Sequence, residues 1–333
     1  MLDYLVDLLQ CPACGGALTW QIHERTPERI QSAQANCSEC GADYPVWEGI
    51  GVFLTPDLPR EDLWEQVDNS LLQHLEENPD TEQRLMGVSV ERLSPADRFF
   101  RALVHEGRGE FAQAKAILDE VSAGLYTPEY LACFESQIDF VIKQIPESKD
   151  PIVDLATGRG DFIQEVLQRQ PRPLIASDFS LSVLRRDRRW LEFLDLYERV
   201  SLLAFDARRT PFKNGAVGTM TTNQGLANIR EPGALLHELR RVVADKFLAI
   251  SVFYPPQDRK NAEAIQQFGL AAMLYRSSAE KHFAEAGWNL RAENCCSSRA
   301  LPTPSAEILA GAGIDGLPAG ETNLEWCSLI AEC

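Results

Sequence analysis

The sequence predicts an α/β protein: a doubly wound, mostly parallel sheet with an antiparallel edge strand, preceded by a metal-stapled module and a helical insert. Three observations carry this expectation. Two Cys-x-x-Cys pairs stand within the first forty residues; an acidic stretch with helical periodicity follows; and past Asp150 short apolar runs of strand type alternate with helical stretches.

The first module spans residues 1–58. Cys11-x-x-Cys14 and Cys37-x-x-Cys40 are separated by 22 residues, and each pair is followed by a glycine, Gly15 and Gly41, where the chain can turn around an ion. Four thiolates at this spacing suit tetrahedral Zn²⁺ with no position left for water, so the site is expected to be structural rather than catalytic. A module this small gains its fold from such a metal, whose binding supplies about 10–16 kcal/mol. "LLQCPACGGAL … CSECGADYPVWEGIGVFL" resembles the zinc-ribbon proteins that activate tRNA and protein methyltransferases: Tyr44, Pro45, Val46, Gly49 and Ile50 match that pattern, while Gly51 stands where proline is usual.

Residues 59–127 read as a helical cap or linker region. Leu63, Val67, Leu71 and Leu75 recur at helical spacing, with Trp64 and Leu72 beside them. Ser94-Pro95 opens a further helix as cap and first residue, Gly107–Gly109 breaks it, and Thr127 caps the next, over 127–145.

In residues 128–333, "PIVDLA", "PLIASD", "VSLLAFD", "VGTMTT" and "KFLAISVF" are the expected strands. Helices are expected near 161–169, 180–198, 230–243 and 257–286, and two closing strands form the antiparallel edge. "IVDLATGRGDF" runs from a strand through a small-residue turn into a helix. Ile163 occupies the place of the third glycine that a dinucleotide site needs. Asp154 and Asp161 would sit badly beside a pyrophosphate and suit a cationic ligand such as S-adenosylmethionine. Asp178 ends the second strand, where a carboxylate accepts from ribose hydroxyls; Asp206-Ala207 ends the third, where an acid accepts from an adenine amino group.

This region resembles the class I S-adenosylmethionine-dependent methyltransferases, whose sheet is Rossmann-like. Asp154-Leu-Ala-Thr-Gly158-Arg-Gly160 follows their Asp-x-Gly-x-Gly-x-Gly loop with Ala156 in place of the first glycine, "ASDFS" matches the acidic loop, and "DARRTPFKNGAVGTMTTNQGLANIREPG" matches the run around the fourth strand. The resemblance implies that Asp154, Ala156, Thr157, Gly158, Gly160, Asp178, Phe179, Asp206, Ala207 and Asn223 form the cofactor site. It also implies direct in-line methyl transfer to an O, N or S nucleophile of a small molecule, a reaction that requires alignment more than a dedicated base. Candidates on the acceptor side are Tyr254, Tyr275 and His282. A ribosomal-RNA guanine methyltransferase and a non-catalytic adaptor that binds the cofactor or a partner are the alternatives.

Charge bears on that choice. The chain carries −17 overall; residues 1–59 hold 8 acids and 2 bases, 60–150 hold 19 and 9, and 151–333 hold 22 and 21. An acidic front half repels phosphate and disfavours nucleic acid, leaving a small molecule as the expected partner, with a protein partner or a second copy open. "TTNQGL" lacks the Asn/Asp-Pro-Pro-aromatic and Pro-Cys patterns of base methylation. The start lacks a basic, apolar leader, no apolar run is long enough to span a membrane, and an odd count of nine cysteines favours reduced thiols; cytoplasm is the expected location. Cys295 and Cys296 should point to opposite faces of a strand and pack in the core. "RRDRR" at 185–189 should be a solvated helix face.

Overall fold

The computed structural model describes residues 1–59, 71 and 73–332. Its strands are β1 (Leu18–Arg25), β2 (Ile30–Cys37), β3 (Asp43–Trp47), β4 (Ile50–Val52), β5 (Ile152–Leu155), β6 (Leu174–Asp178), β7 (Val200–Ala204), β8 (Val217–Asn223), β9 (Val243–Phe253), β10 (Asn289–Ala300) and β11 (Thr322–Glu332). They join into a single sheet in the order β1-β2-β3-β4-β7-β6-β5-β8-β9-β11-β10. β5 to β9 pair in parallel, whereas β11 lies antiparallel between β9 and β10. The doubly wound sheet with its antiparallel edge is therefore present.

Side chains explain the layers. β5, β6 and β7 are buried at every position, as parallel strands covered on both faces must be. Alternate residues divide between two cores: Val153, Ile175, Leu203 and Phe247 face one, and Ile152, Leu174, Leu202 and Leu248 the other. Helices Pro232–Val242 and Arg276–Glu285 pack on the first face. Helices Pro128–Gln144, Asp161–Arg169 and Leu181–Phe193 pack on the second.

Residues 1–58 do not stand apart. β1 to β4 form an antiparallel meander, and β4 pairs in parallel with β7, Ile50 opposite Leu202 and Val52 opposite Ala204. The Phe53 amide donates to the Ala204 carbonyl at 2.7 Å, which carries the pairing one residue further. Arg29 donates to the carbonyls of Val200 (2.9 Å), Tyr197 (3.0 Å) and Glu198 (3.2 Å), its guanidinium lying over the Tyr197 ring.

In the insert, Ser94 and Thr127 cap helices Pro95–Gly107 and Pro128–Gln144 as expected, each hydroxyl accepting from the amide three residues on. Helix Phe111–Leu125 follows the glycine break. The expected helix around Leu63 lies outside the described residues except for Leu71 and the helical turn at 73–77. Leu75, Leu85, Phe100 and Val104 pack against Ala306 and Leu309, so the helices close on the β10–β11 connection.

Four expectations need correction. The helix over 257–286 is three pieces, Arg259–Phe268, Ala271–Leu274 and Arg276–Glu285, because Gly269 takes a left-handed C-cap at φ 73°. The 185–189 run is not wholly solvated: Asp187 is buried, and Arg186 reaches inward to Glu106. The thiols outside the four-cysteine cluster are not all reduced, since Cys295 and Cys327 form a cross-strand disulfide. Cys295 and Cys296 do face apart, Cys296 lying 2.6 Å from Cys133 on helix Pro128–Gln144, but Cys295 is exposed rather than packed in the core. No described helix is long and apolar enough to cross a membrane.

Candidate functional site

Parallel strands bring their carboxyl ends to one edge, and the turns leaving that edge hold the predicted residues. After β5 the chain turns through Ala156 (φ 52°), Gly158 (φ 54°) and Gly160 (φ 77°) into helix Asp161–Arg169. A Cβ at Gly158 would meet nothing within 4 Å, so the backbone there borders open space where a ligand can lie against it. Ala156 is held in the left-handed region although it has a Cβ, which costs about 1–2 kcal/mol. Gly225 packs under it: a Cβ at Gly225 would fall 2.8 Å from that of Ala156. Gln224, also left-handed at φ 56°, follows Asn223 at the end of β8, so strained residues flank the edge on two adjacent strands.

The three strand-end carboxylates differ in state. Asp154 is buried and accepts from the Thr221 hydroxyl at 2.7 Å. Burial, reinforced by the charge of Asp178, pushes its carboxyl up to about 7 despite that bond. Asp178 is positioned by two backbone amides, accepting from Ser180 (3.0 Å) on one oxygen and from Gly158 (3.3 Å) on the other. Asp206 is gripped by the fork of Arg208, Nη2 to one oxygen at 2.7 Å and Nε to the other at 2.9 Å. Arg208 also reaches Glu231 at 2.6 Å and the Pro59 carbonyl at 3.2 Å. Ala207 is buried, Thr157 donates its amide to Ser177 at 2.9 Å, and Phe179 is half-buried beside Asp178. Asn223 Oδ1 is buried with no hydrogen-bond partner, an acceptor left over at the end of β8.

A charged cluster absent from the sequence reading supports the glycine loop. Glu106, from helix Pro95–Gly107, accepts from Arg159 (2.9 Å) and from Arg186 (3.1 Å). The two guanidiniums hold its carboxyl below the usual range against the burial that opposes this. The insert is thereby tied to the loop through one carboxylate.

The acceptor-side candidates separate. Tyr254 is buried just past β9 at the same edge. Tyr275 begins helix Arg276–Glu285, and His282 lies on that helix 3.8 Å from Glu285, with no site residue among its described partners. Sequence reasoning missed Tyr126, Tyr130 and Asp315. Tyr126 donates to Asp315 at 3.0 Å and stacks on Tyr130 at 4.7 Å between centroids. Their positions depend on the helix and loop packing over the edge, for which no local motif exists.

Near the start of the chain, Cys11, Cys14, Cys37 and Cys40 place their Sγ atoms within 4.8 Å of one another. Cys11–Cys40 and Cys14–Cys37 are 3.6 and 3.5 Å apart. A tetrahedron with Zn–S bonds of about 2.3 Å has edges of roughly 3.8 Å, so the donor set fits that ion. The two turns are built alike: Gly15 N donates to Cys11 O and Gly41 N to Cys37 O, at 2.8 and 3.0 Å.

Compared with known proteins, residues 152–246 match the methyltransferase domain family, less than a third of the chain. A demethylmenaquinone methyltransferase of Corynebacterium kroppenstedtii is 32% identical over 98 residues, 29% of this chain and 39% of that protein. The enzyme of the same name from Clavibacter sepedonicus is 33% identical over 135 residues, 39% of this chain and 54% of its own length. The chain thus spans about half or less of these relatives. Among solved structures, the geranyl diphosphate C-methyltransferase of Streptomyces coelicolor A3(2) is 15% identical with a TM-score of 0.47, covering 67% of this chain and 80% of that one. The YcgJ protein of Bacillus subtilis is 12% identical with a TM-score of 0.47, covering 60% and 98%.

Proposed function

We propose that the chain is an S-adenosylmethionine-dependent methyltransferase acting on a small-molecule acceptor. The observation that carries this reading is the edge itself: an open glycine turn, Asp178 oriented by two amides and the orphaned Asn223 Oδ1 converge where the methyltransferase-domain match lies. In the same reading residues 1–58 are a zinc ribbon, 59–127 a cap and 128–333 the catalytic unit.

These residues fit the cofactor, which supplies a methyl group on a positively charged sulfur whose bonding pair leaves with the sulfur. Asp178 accepts from ribose hydroxyls, Asp206 and Ala207 border adenine, and Gly158 and Gly160 let the backbone pass under the methionine part. Asn223 accepts a hydrogen bond at the donor end. Alignment and exclusion of water by the insert and the β10–β11 connection are the chain's contribution to rate. The relatives' acceptor, demethylmenaquinone, suggests a small-molecule acceptor without identifying this one.

Labelled cofactor supplied to the protein with fractionated cell extract tests the proposal. Label is expected in the low-molecular-weight fraction. Label in RNA would replace the reading with an RNA methyltransferase, and tight S-adenosylhomocysteine binding without transfer to any fraction would leave an adaptor.

A further inference from the structure

Resting on that reading, we infer that Tyr126, Tyr130, Tyr254 and Asp315 enclose the acceptor's seat, and that the acceptor presents an ammonium group beside a flat apolar part. The topology puts these residues together. Helix Pro128–Gln144 leads into β5, so its N-terminal end, with Tyr126 and Tyr130, lies over the carboxyl edge. Tyr254 leaves β9 at that edge. β10 ends and β11 begins there too, because β11 runs antiparallel to β9 with Glu325 opposite Phe253, so the 301–321 connection that carries Asp315 arches over it.

That connection is fastened from three elements. Asp97 accepts from the amides of Glu307 and Ile308, both at 3.0 Å; Asn261 Oδ1 accepts from the Ala319 amide at 2.7 Å; and Tyr126 donates to Asp315. The roof is therefore built in a defined position.

Its chemistry is specific. Tyr126 stacks parallel on Tyr130, which meets Trp326 edge-on at 4.9 Å, giving flat aromatic walls. Asp315 is exposed and the two tyrosines are half-exposed, so a small molecule can reach all three. The Asp315 charge is felt by Tyr130 and Tyr254 as well as by Tyr126. Among the described residues Asp315 has no cationic partner; its carboxylate accepts from Tyr126. A carboxylate backed by aromatic faces and lacking a resident cation is an ammonium receptor, through ion pairing and cation–π attraction.

The test uses the full chain with S-adenosylhomocysteine present and two probes of the same ring and tail, tyramine and 4-ethylphenol, titrated calorimetrically. Tyramine is expected to bind at least about tenfold more tightly. Asp315→Asn should erase that difference while leaving S-adenosylhomocysteine affinity within about twofold, and Tyr130→Leu should weaken tyramine severalfold. Equal binding of the two probes, or a preference that survives Asp315→Asn, overturns the inference while the cofactor reading stands. Failure of S-adenosylhomocysteine to bind the unmodified chain overturns both.

Discussion

Asp154→Asn is the sharpest test of the electrostatics at the edge. The folded chain holds the Asp154 proton up to about pH 7, against an ordinary value of 3.8. Between those pH values folding takes up a proton, so stability falls as pH rises, and above about pH 7 the whole cost is in place. At ~1.4 kcal/mol per pH unit, that cost is on the order of 4 kcal/mol, reduced by whatever water or a bound cation relieves. Asparagine has nearly the same shape, keeps an acceptor for the Thr221 hydroxyl and carries no charge. The variant should match the unmodified chain at pH 4 and exceed it by about 2–4 kcal/mol at pH 8, read as a Tm rise of a few degrees by scanning calorimetry. Asp187 is also pushed up to about 7 by burial, so part of the pH dependence will remain. An Asn variant less stable than the parent at pH 8, or one with an unchanged slope between pH 4 and 7, would refute the reasoning. Under the proposed function the gain comes with weaker S-adenosylhomocysteine binding, the exchange expected where a buried charge is kept for a ligand.

Three further outcomes follow from the geometry. Ala156→Gly releases about 1–2 kcal/mol of left-handed strain and returns roughly 0.5–1 kcal/mol as chain entropy, so denaturant titration should show a gain of up to about 1.5 kcal/mol; a clear loss would mean that the Ala156 methyl contributes more packing than strain. Glu106→Gln leaves Arg159 and Arg186 without their shared carboxylate in a mostly buried site and should cost about 3–5 kcal/mol, whereas an effect below about 1 kcal/mol would show the guanidiniums finding water instead. Freshly purified reduced protein should contain about one zinc per chain, and Cys37→Ser should lose it and expose residues 1–55 to limited proteolysis; protein free of zinc yet protease-resistant there would remove the metal from the account of that fold.

The strands were legible because burial on both faces leaves uninterrupted apolar runs, as in "PLIASD" and "VSLLAF", and the strand-end aspartates were legible because each closes such a run. Helix starts at Ser94 and Thr127 were readable from a cap and a following proline, a purely local signal. What escaped was set by contacts far apart in sequence. Nothing around Arg159 or Arg186 announces that Glu106, 80 residues before Arg186, will meet them. Asp315 sits in a Pro/Gly-rich connection that reads as ordinary loop until Tyr126 is placed 189 positions away. The Cys295–Cys327 pair likewise depends on a strand register that no spacing rule supplies.

The position of residues 1–58 follows from an edge problem. Without them, β7 would be the open edge of a parallel sheet, with a row of unpaired backbone groups beside the Asp206–Ala207 turn. β4 satisfies that row, Arg29 takes the carbonyls of Tyr197, Glu198 and Val200 at the start of β7, and Arg208 links the Asp206 turn to Pro59, just past the module. The four-cysteine cluster is therefore connected by backbone pairing to the strand that ends at the Asp206–Ala207 turn: β2 pairs with β3, β3 with β4, and β4 with β7. The acidity of residues 1–59 is no obstacle to this role, since it rests on backbone pairing and on cations supplied inward by Arg29 and Arg208. A module that looks like a grip for an external partner is, in this chain, the closing piece of its own sheet.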